Sequence, residues 1–168
     1  MSKIVNEPTI DEEIVVEVRN AIEHRSTWMY LLMKEARDRG LNWDDFAREA
    51  IRQTGCIHGA RFKALVEDET SIEEFERVFA VGTGRKVFEM EVLEEDDEKY
   101  YLDFHYCPLV KAWQKLGVSD EEIEHLCDIA MDGDRGISSQ FPAFEFTLGK
   151  TIAQGHPVCQ IRFDKKKE

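Results

Sequence analysis

The sequence predicts an α+β fold, a single domain in which an antiparallel sheet of about four strands is packed by several helices. Three observations predict it. Up to about residue 80, apolar residues recur every three or four positions, the period of a helix with one buried face. Beyond about residue 84, stretches of strict alternation appear, the period of a strand with one wet face. The order then runs helices, two strands, two helices, two strands, without the regular strand–helix alternation of a parallel doubly wound sheet. The chain of 168 residues is long enough to bury one core. It divides into a helical half, about 9–80, and a strand–helix–strand half, about 84–163, within one domain over 1–168.

Thr9 with Glu12 reads as a capping box. Ile14, Val18, Ile22, Met29, Met33 and Ala36 then carry a helix to Gly40. Asn42 caps a second helix with Phe46, Ala47, Ala50 and Ile51 on one face, and Gly55 is expected to end it. Ser71 with Glu74 opens a third before Phe75, Val78 and Phe79. Phe88, Met90 and Val92 alternate with Glu89 and Glu91 in a strand, and Glu94 to Glu98 make an acidic turn. In the returning strand Tyr100, Leu102, Phe104 and Tyr106 alternate with Tyr101, Asp103, His105 and Cys107. Pro108 suits the first turn of a helix, which carries Leu109, Val110, Trp113 and Leu116 to Gly117. Ser119 with Glu122 opens the next, through about Met131, and Gly133 and Gly136 break it. A last hairpin joins Phe144–Leu148 to Val158–Phe163 around Gly155-His156-Pro157. The tail from Asp164 to Glu168 is expected to fray.

Composition narrows the function classes. A net charge of −13 repels phosphate backbones and anionic lipid, so nucleic acid and membrane surfaces are not expected partners. No apolar run approaches the roughly 20 residues of a membrane span. The N-terminus lacks the apolar centre of a signal peptide, which points to the cytoplasm. In that reducing compartment the four cysteines are expected as thiols rather than disulfides. The partner expected is a small-molecule substrate, and a homo-oligomer is left open.

Three stretches in the last third hold most of the residues able to do chemistry. His105 and Cys107 lie two apart on an extended segment and should share a face. Cys107 also precedes the helix beginning at Pro108, where the helix N-terminus favours a thiolate and makes a reactive thiol. The plainer reading is a buried thiol at a strand–helix junction. His125, Asp128 and Asp132 share one helical face, with Cys127 on the apolar stripe beside them. Asp128 could reach a pocket and act as a base if burial raised its pKa, although a solvated helix face explains it more simply. Cys159 sits on a strand face with Ile161 and Phe163, where core filling competes with pocket lining. Arg61 follows the glycine-bounded segment Gly55–Gly59 and could fork onto a carboxylate, although a plain inter-helix turn is the simpler account. His105, Cys107, Cys127 and Cys159 could converge on zinc, but the spacings match no short zinc motif. No cofactor or metal is therefore expected, with zinc the minor alternative.

His105-Tyr106-Cys107-Pro108-Leu109, Leu126-Cys127-x3-Met131-Asp132 and Gly155-x2-Val158-Cys159-x-Ile161-Arg162-Phe163 resemble, in order and spacing, the L-2-amino-thiazoline-4-carboxylic acid hydrolase family. The ending is also similar to vinyl-reductase-type small-molecule-binding domains, built of helices on an antiparallel sheet. The resemblance implies a hydrolase opening a small cyclic C–N/C–S substrate, a 2-amino-thiazoline ring, to an N-carbamoyl-cysteine. Cys107 or an activated water would attack, and Asp128 or His105 would move protons. Arg61 would hold the substrate carboxylate, with Cys127, Cys159 and Asp132 lining the site. The alternative is a non-catalytic small-molecule-binding or sensor domain.

Overall fold

A computed structural model describes residues 2–167. Helix α1 spans Glu13–Asp38 and α2 spans Trp43–Lys63. Two shorter helices follow, α3 (Ile72–Phe79) and α4 (Thr83–Val87). Strands β1 (Met90–Glu95) and β2 (Lys99–Phe104) precede α5 (Pro108–Lys115), α6 (Asp120–Ala130) and α7 (Asp132–Ser138). Strand β3 (Phe144–Leu148), a 3-10 turn (Ile152–Gln154) and β4 (Cys159–Lys165) complete the chain. The four strands form one antiparallel sheet in the order β1-β2-β4-β3. The α+β class with one four-stranded antiparallel sheet is as the sequence predicts.

The helix starts read from serine and proline hold. The Ser71 and Ser119 hydroxyls each accept a backbone N–H, from Glu74 and Glu122 respectively. Pro108 occupies the first turn of α5. Thr9 does not cap α1. Its amide and hydroxyl both donate to the Glu89 carboxylate, at 2.6 and 2.7 Å. Glu89 has a positive φ of 49°, unusual without glycine. That conformation turns its carboxylate onto Thr9, Ile10 and the buried Arg19 guanidinium. The expected face of α1 holds toward its end, where Met33 is buried and Met29 and Ala36 pack on the core, but not at its start. Val15, Arg19, Ser26 and Met33 are buried, whereas Ile14 is 54% exposed. Strand β4 runs to Lys165, and the Lys166 amide donates to Ala143, so the tail is ordered beyond the expected fray point; Glu168 lies outside the described residues.

Glycine produced the largest errors of sequence reading. Gly55 does not end α2, and Gly133 and Gly136 do not stop α7. All three lie where α2 and α7 press together. A Cβ on Gly55 would fall 1.9 Å from the Gly133 carbonyl oxygen, and one on Gly136 would fall 2.2 Å from the Arg52 carbonyl oxygen. No side chain fits at Gly55 or Gly136, so glycine there serves close helix packing rather than a turn, whereas a Cβ on Gly133 would make only an ordinary contact with Ile51, at 3.6 Å. Arg61 therefore lies on a continuing helix, and no turn of free amides precedes it.

Two apolar clusters fill the interior. One joins Ile72, Phe75, Phe141, Phe144 and Phe163 beneath the sheet. The other joins Trp43, Val110, Trp113, Ile123, Leu126, Ile129 and Ile152 between the helices, and it contains Cys127 and Cys159. No helix among the described residues is long and apolar enough to cross a membrane.

Candidate active site

The site is built around Cys107, the residue before α5. The N-terminal strap fixes its backbone. The Asn6 side-chain amide donates to the Cys107 carbonyl at 2.8 Å, and the Cys107 N–H donates to the Asn6 side-chain oxygen at 2.9 Å. Asn6 is 2% exposed, so this reciprocal pair is shielded from water. Burial pushes the Cys107 thiol up to about 11, against the amides of Val110 and Leu109, which favour the thiolate. The helix N-terminus is thus where the sequence placed it, but desolvation outweighs it. The expected lowering of this thiol is overturned.

Two further thiols meet it from separate elements. Cys127 lies on the buried face of α6, and Cys159 begins β4 beside Phe104 of β2. The Ile152 amide contacts the Cys159 sulfur at 3.3 Å. Burial pushes Cys159 up to about 12 and Cys127 well above its ordinary range. A charge on Cys107 would raise both, and Cys159 likewise acts on Cys127, which places the three within electrostatic reach of one another. Cys107 packs against the cluster that contains the other two.

Asp134 of α7 joins them. Burial pushes its carboxyl up to about 6, opposed by its own backbone amide, Arg135 and Arg25. Its charge in turn raises Cys107 and Cys159. Sequence reading passed over Asp134 because Gly133 was taken as a helix end. Read straight through, Cys127, Ala130 and Asp134 fall at i, i+3 and i+7, one helical face. Asn6 and Arg25 left no comparable local signal.

Asp128 has the opposite character. Its carboxylate accepts from Arg48 at 2.6 Å and Arg135 at 2.8 Å. Partial burial pushes its pKa up, but the Arg135 and Arg48 hydrogen bonds outweigh that and hold the carboxyl below its usual range. The base with a raised pKa expected at Asp128 is therefore absent there. Asp132 is paired by the same two arginines, at 3.0 Å from Arg48 and 2.7 Å from Arg135.

His105 does not join the thiols. Strand β2 ends at Phe104, the two-residue alternation stops, and exposed His105 meets Glu91 at 2.9 Å. The shared face expected for His105 and Cys107 does not form. The four-residue zinc arrangement that includes His105 is not formed either. Among the described residues no group of three or more His, Cys, Asp or Glu side chains is set to hold a metal ion. Two clefts open at the surface, one of about 540 Å³ beside Arg135, Ser139 and Phe144 and one of about 450 Å³ beside Arg19, Tyr106 and Lys111. Neither is lined by Cys107, Cys127, Cys159 or Asp134.

The family model for L-2-amino-thiazoline-4-carboxylic acid hydrolases matches residues 19–163, and so includes α5, all three thiols and Asp134. No curated protein matches the chain.

Proposed function

We propose that this chain, which belongs to the L-2-amino-thiazoline-4-carboxylic acid hydrolase family, is a cofactor-independent hydrolase that opens a 2-amino-thiazoline-4-carboxylate ring to an N-carbamoyl-cysteine. One observation carries the reading. Cys107, Cys127 and Cys159 lie within electrostatic reach of a half-buried carboxyl, Asp134, that desolvation pushes up to about 6. A general acid–base group works best with a pKa near the working pH. Asp134 meets that condition, and Asp128 does not.

The attacking group in this reading is water. With a pKa of about 11, Cys107 is thiolate in roughly one molecule in ten thousand at pH 7. Asp134, ionised at neutral pH, takes a proton as the water oxygen bonds to the ring carbon between nitrogen and sulfur. The π pair of the carbon–nitrogen double bond moves onto the ring nitrogen, which takes up a proton. The carbon–sulfur bond then breaks with its electron pair leaving on sulfur. The new hydroxyl releases its remaining proton to become the urea carbonyl, replacing the proton that the nitrogen gained. The proton on Asp134 passes to the departing thiolate. The ring nitrogen keeps its bond to the former ring carbon, and the product is the substrate plus one water. Neutral Cys107 is a weak S–H donor beside the developing charge.

The test is incubation with 2-amino-thiazoline-4-carboxylate, following release of a low-molecular-weight thiol and a product one water heavier. Stoichiometric thiol release abolished by Asp134→Asn supports the reading. Absence of release at millimolar substrate contradicts it. A second reading, a non-catalytic binding domain, draws support from the three thiols whose raised pKa values keep them neutral, two of them buried. It expects binding of the same compound without turnover.

A further inference from the structure

We infer that the cleft between the N-terminal strap, α1 and α5 is a binding site for a small ring carboxylate, with the Lys111 ammonium and the Tyr106 hydroxyl as its two donors. The site lies apart from the thiols and Asp134, and the inference does not rest on the hydrolase reading. The cleft holds about 450 Å³, within the range of small-molecule pockets. Pro8 and Ile10 of the strap and Val16 of α1 give it an apolar wall. Its polar residues differ in what they have left to offer. The Arg19 guanidinium is spent on Glu89 and on the Val87, Ile10 and Lys86 carbonyls. The Thr9 amide and hydroxyl are spent on Glu89 as well. Lys115 is bridged to the enclosed Glu23 carboxylate at 2.5 Å.

Tyr106 and Lys111 are the exceptions. Tyr106 is 2% exposed, and the Arg19 guanidinium covers its ring at 4.4 Å from the ring centre. A buried tyrosine hydroxyl ordinarily finds a partner. The Tyr106 hydroxyl bonds to no group among the described residues, and it is not sealed from water but opens on the cleft. Burial, and then the Glu23 charge, push it up to about 12, so it stays protonated and able to donate. Lys111 is mostly enclosed, and its one ion-pair partner among the described residues is Glu7. Both Glu7 oxygens accept from its ammonium, at 2.9 and 3.0 Å. Glu7 itself is 73% exposed and sits on the strap one residue before Pro8, so the pair adds little to stability. Glu7 is in effect a tethered carboxylate resting on a shielded ammonium beside the cleft. A free carboxylate has the chemistry to replace it. One ligand oxygen takes the Lys111 ammonium, the other takes the Tyr106 hydroxyl, and the ring lies on Pro8, Ile10 and Val16.

The probes are benzoate, its neutral counterpart benzamide, and inorganic phosphate, each titrated into the isotope-labelled full chain at pH 7 and followed by NMR. We expect benzoate to shift the backbone amides of Thr9, Asn20 and Lys111 saturably, with a Kd on the order of 1 mM. Benzamide and phosphate should bind at least about tenfold more weakly, because neither presents a planar carboxylate to the two donors. Lys111→Met should weaken benzoate by about tenfold or more. Tyr106→Phe, which keeps the ring under Arg19, should weaken it by about three- to tenfold. Glu7→Gln removes the tethered competitor at an exposed position and should tighten benzoate by about three- to tenfold. If Lys111→Met does not fold, the Tyr106 and Glu7 variants decide. Absence of a saturable shift with benzoate, or equal binding of benzamide or phosphate, would overturn the carboxylate site. Unchanged affinity in Glu7→Gln or in Tyr106→Phe would overturn it too, since the first contradicts the competition and the second the hydroxyl donor. Ring opening is not the readout, so the hydrolase reading stands or falls separately.

Discussion

Asp128 and Asp134 are six residues apart on consecutive helices and have opposite environments. Asp128 faces two guanidiniums and is held as a carboxylate. Asp134 is half-buried and has no ion-pair partner among the described residues, so desolvation outweighs its cations and pushes its carboxyl up to about 6. The two regions they mark are equally sharp. One is a solvent-touching square of Arg48, Asp128, Asp132 and Arg135. The other is a desolvated group of three thiols and one carboxyl. The first is a structural clasp between α2 and the α6–α7 segment, and the second has a group able to exchange a proton near neutral pH. Residue type does not distinguish the two regions; the partners around each carboxyl do.

The largest expected effect separates the two acids directly. Asp134→Asn should reduce ring opening by about 10²- to 10⁴-fold, the range for loss of a general acid–base group. Asp128→Asn should leave kcat within about threefold and cost about 1 kcal/mol of stability, because it is partly exposed and its arginines keep Asp132. Paired thermal melts and turnover assays check both. Comparable activity losses in the two variants would erase the distinction.

The next effect concerns the contact that keeps the two regions in register. Gly55→Ala places a methyl group against the Gly133 backbone, which cannot move aside as a side-chain end could. We expect a loss of about 2–4 kcal/mol in denaturant unfolding, in the range for overpacking with a backbone shift. A cost below 0.5 kcal/mol would mean that α2 and α7 are not so closely packed. Asn6→Ala should cost about 1–3 kcal/mol, since it leaves the Cys107 N–H unpaired and its carbonyl with only the Lys111 N–H. It should also lower kcat more than Gln114→Ala does, since Gln114 of α5 holds the same N-terminal strap through the Ile4 carbonyl, at 3.1 Å, without touching Cys107. Equal kcat in the two variants would detach the strap from the site.

Linkage gives a smaller test. The unfolded chain releases the Asp134 proton near the ordinary carboxyl range, 3.8, and the folded chain releases it near 6. This group's raised folded pKa therefore makes its contribution to stability fall as pH rises from about 4 to about 6, by at most about 3 kcal/mol. Asp134→Asn should remove that slope and be the more stable protein at pH 7. Thiol chemistry supplies the last and smallest effect. In the native protein Cys56 should alkylate first at neutral pH, because burial raises Cys107, Cys127 and Cys159. Mass mapping of the first labelled cysteine checks this, and prior labelling of Cys107 would contradict its raised pKa.

Local signals were readable in the sequence, and contact-dependent ones were not. Ser71, Ser119 and Pro108 mark helix starts through interactions within one turn, so their effect is written in the residues themselves. Cys127 and Cys159 were legible as inward-facing through helical and strand periods. Gly55, Gly133 and Gly136 were misread because glycine serves both turns and close helix contacts, and only the partner helix tells these apart. The thiol pKa at Cys107 was misjudged because the favourable helix terminus is local, while the larger desolvation comes from the whole core. Asp128 drew attention over Asp134 because its pairing with Arg48 spans 80 positions of sequence.

The measurement that tests the central claim most directly is the pH dependence of kcat/KM for wild type, Asp134→Asn and Asp128→Asn with 2-amino-thiazoline-4-carboxylate. We expect wild-type activity to rise with pH through a single ionisation near 6, as Asp134 becomes the base. Asp128→Asn should keep that limb, and the residual activity of Asp134→Asn should lack it. A limb near 6 that persists in Asp134→Asn, or that disappears in Asp128→Asn, would contradict the assignment.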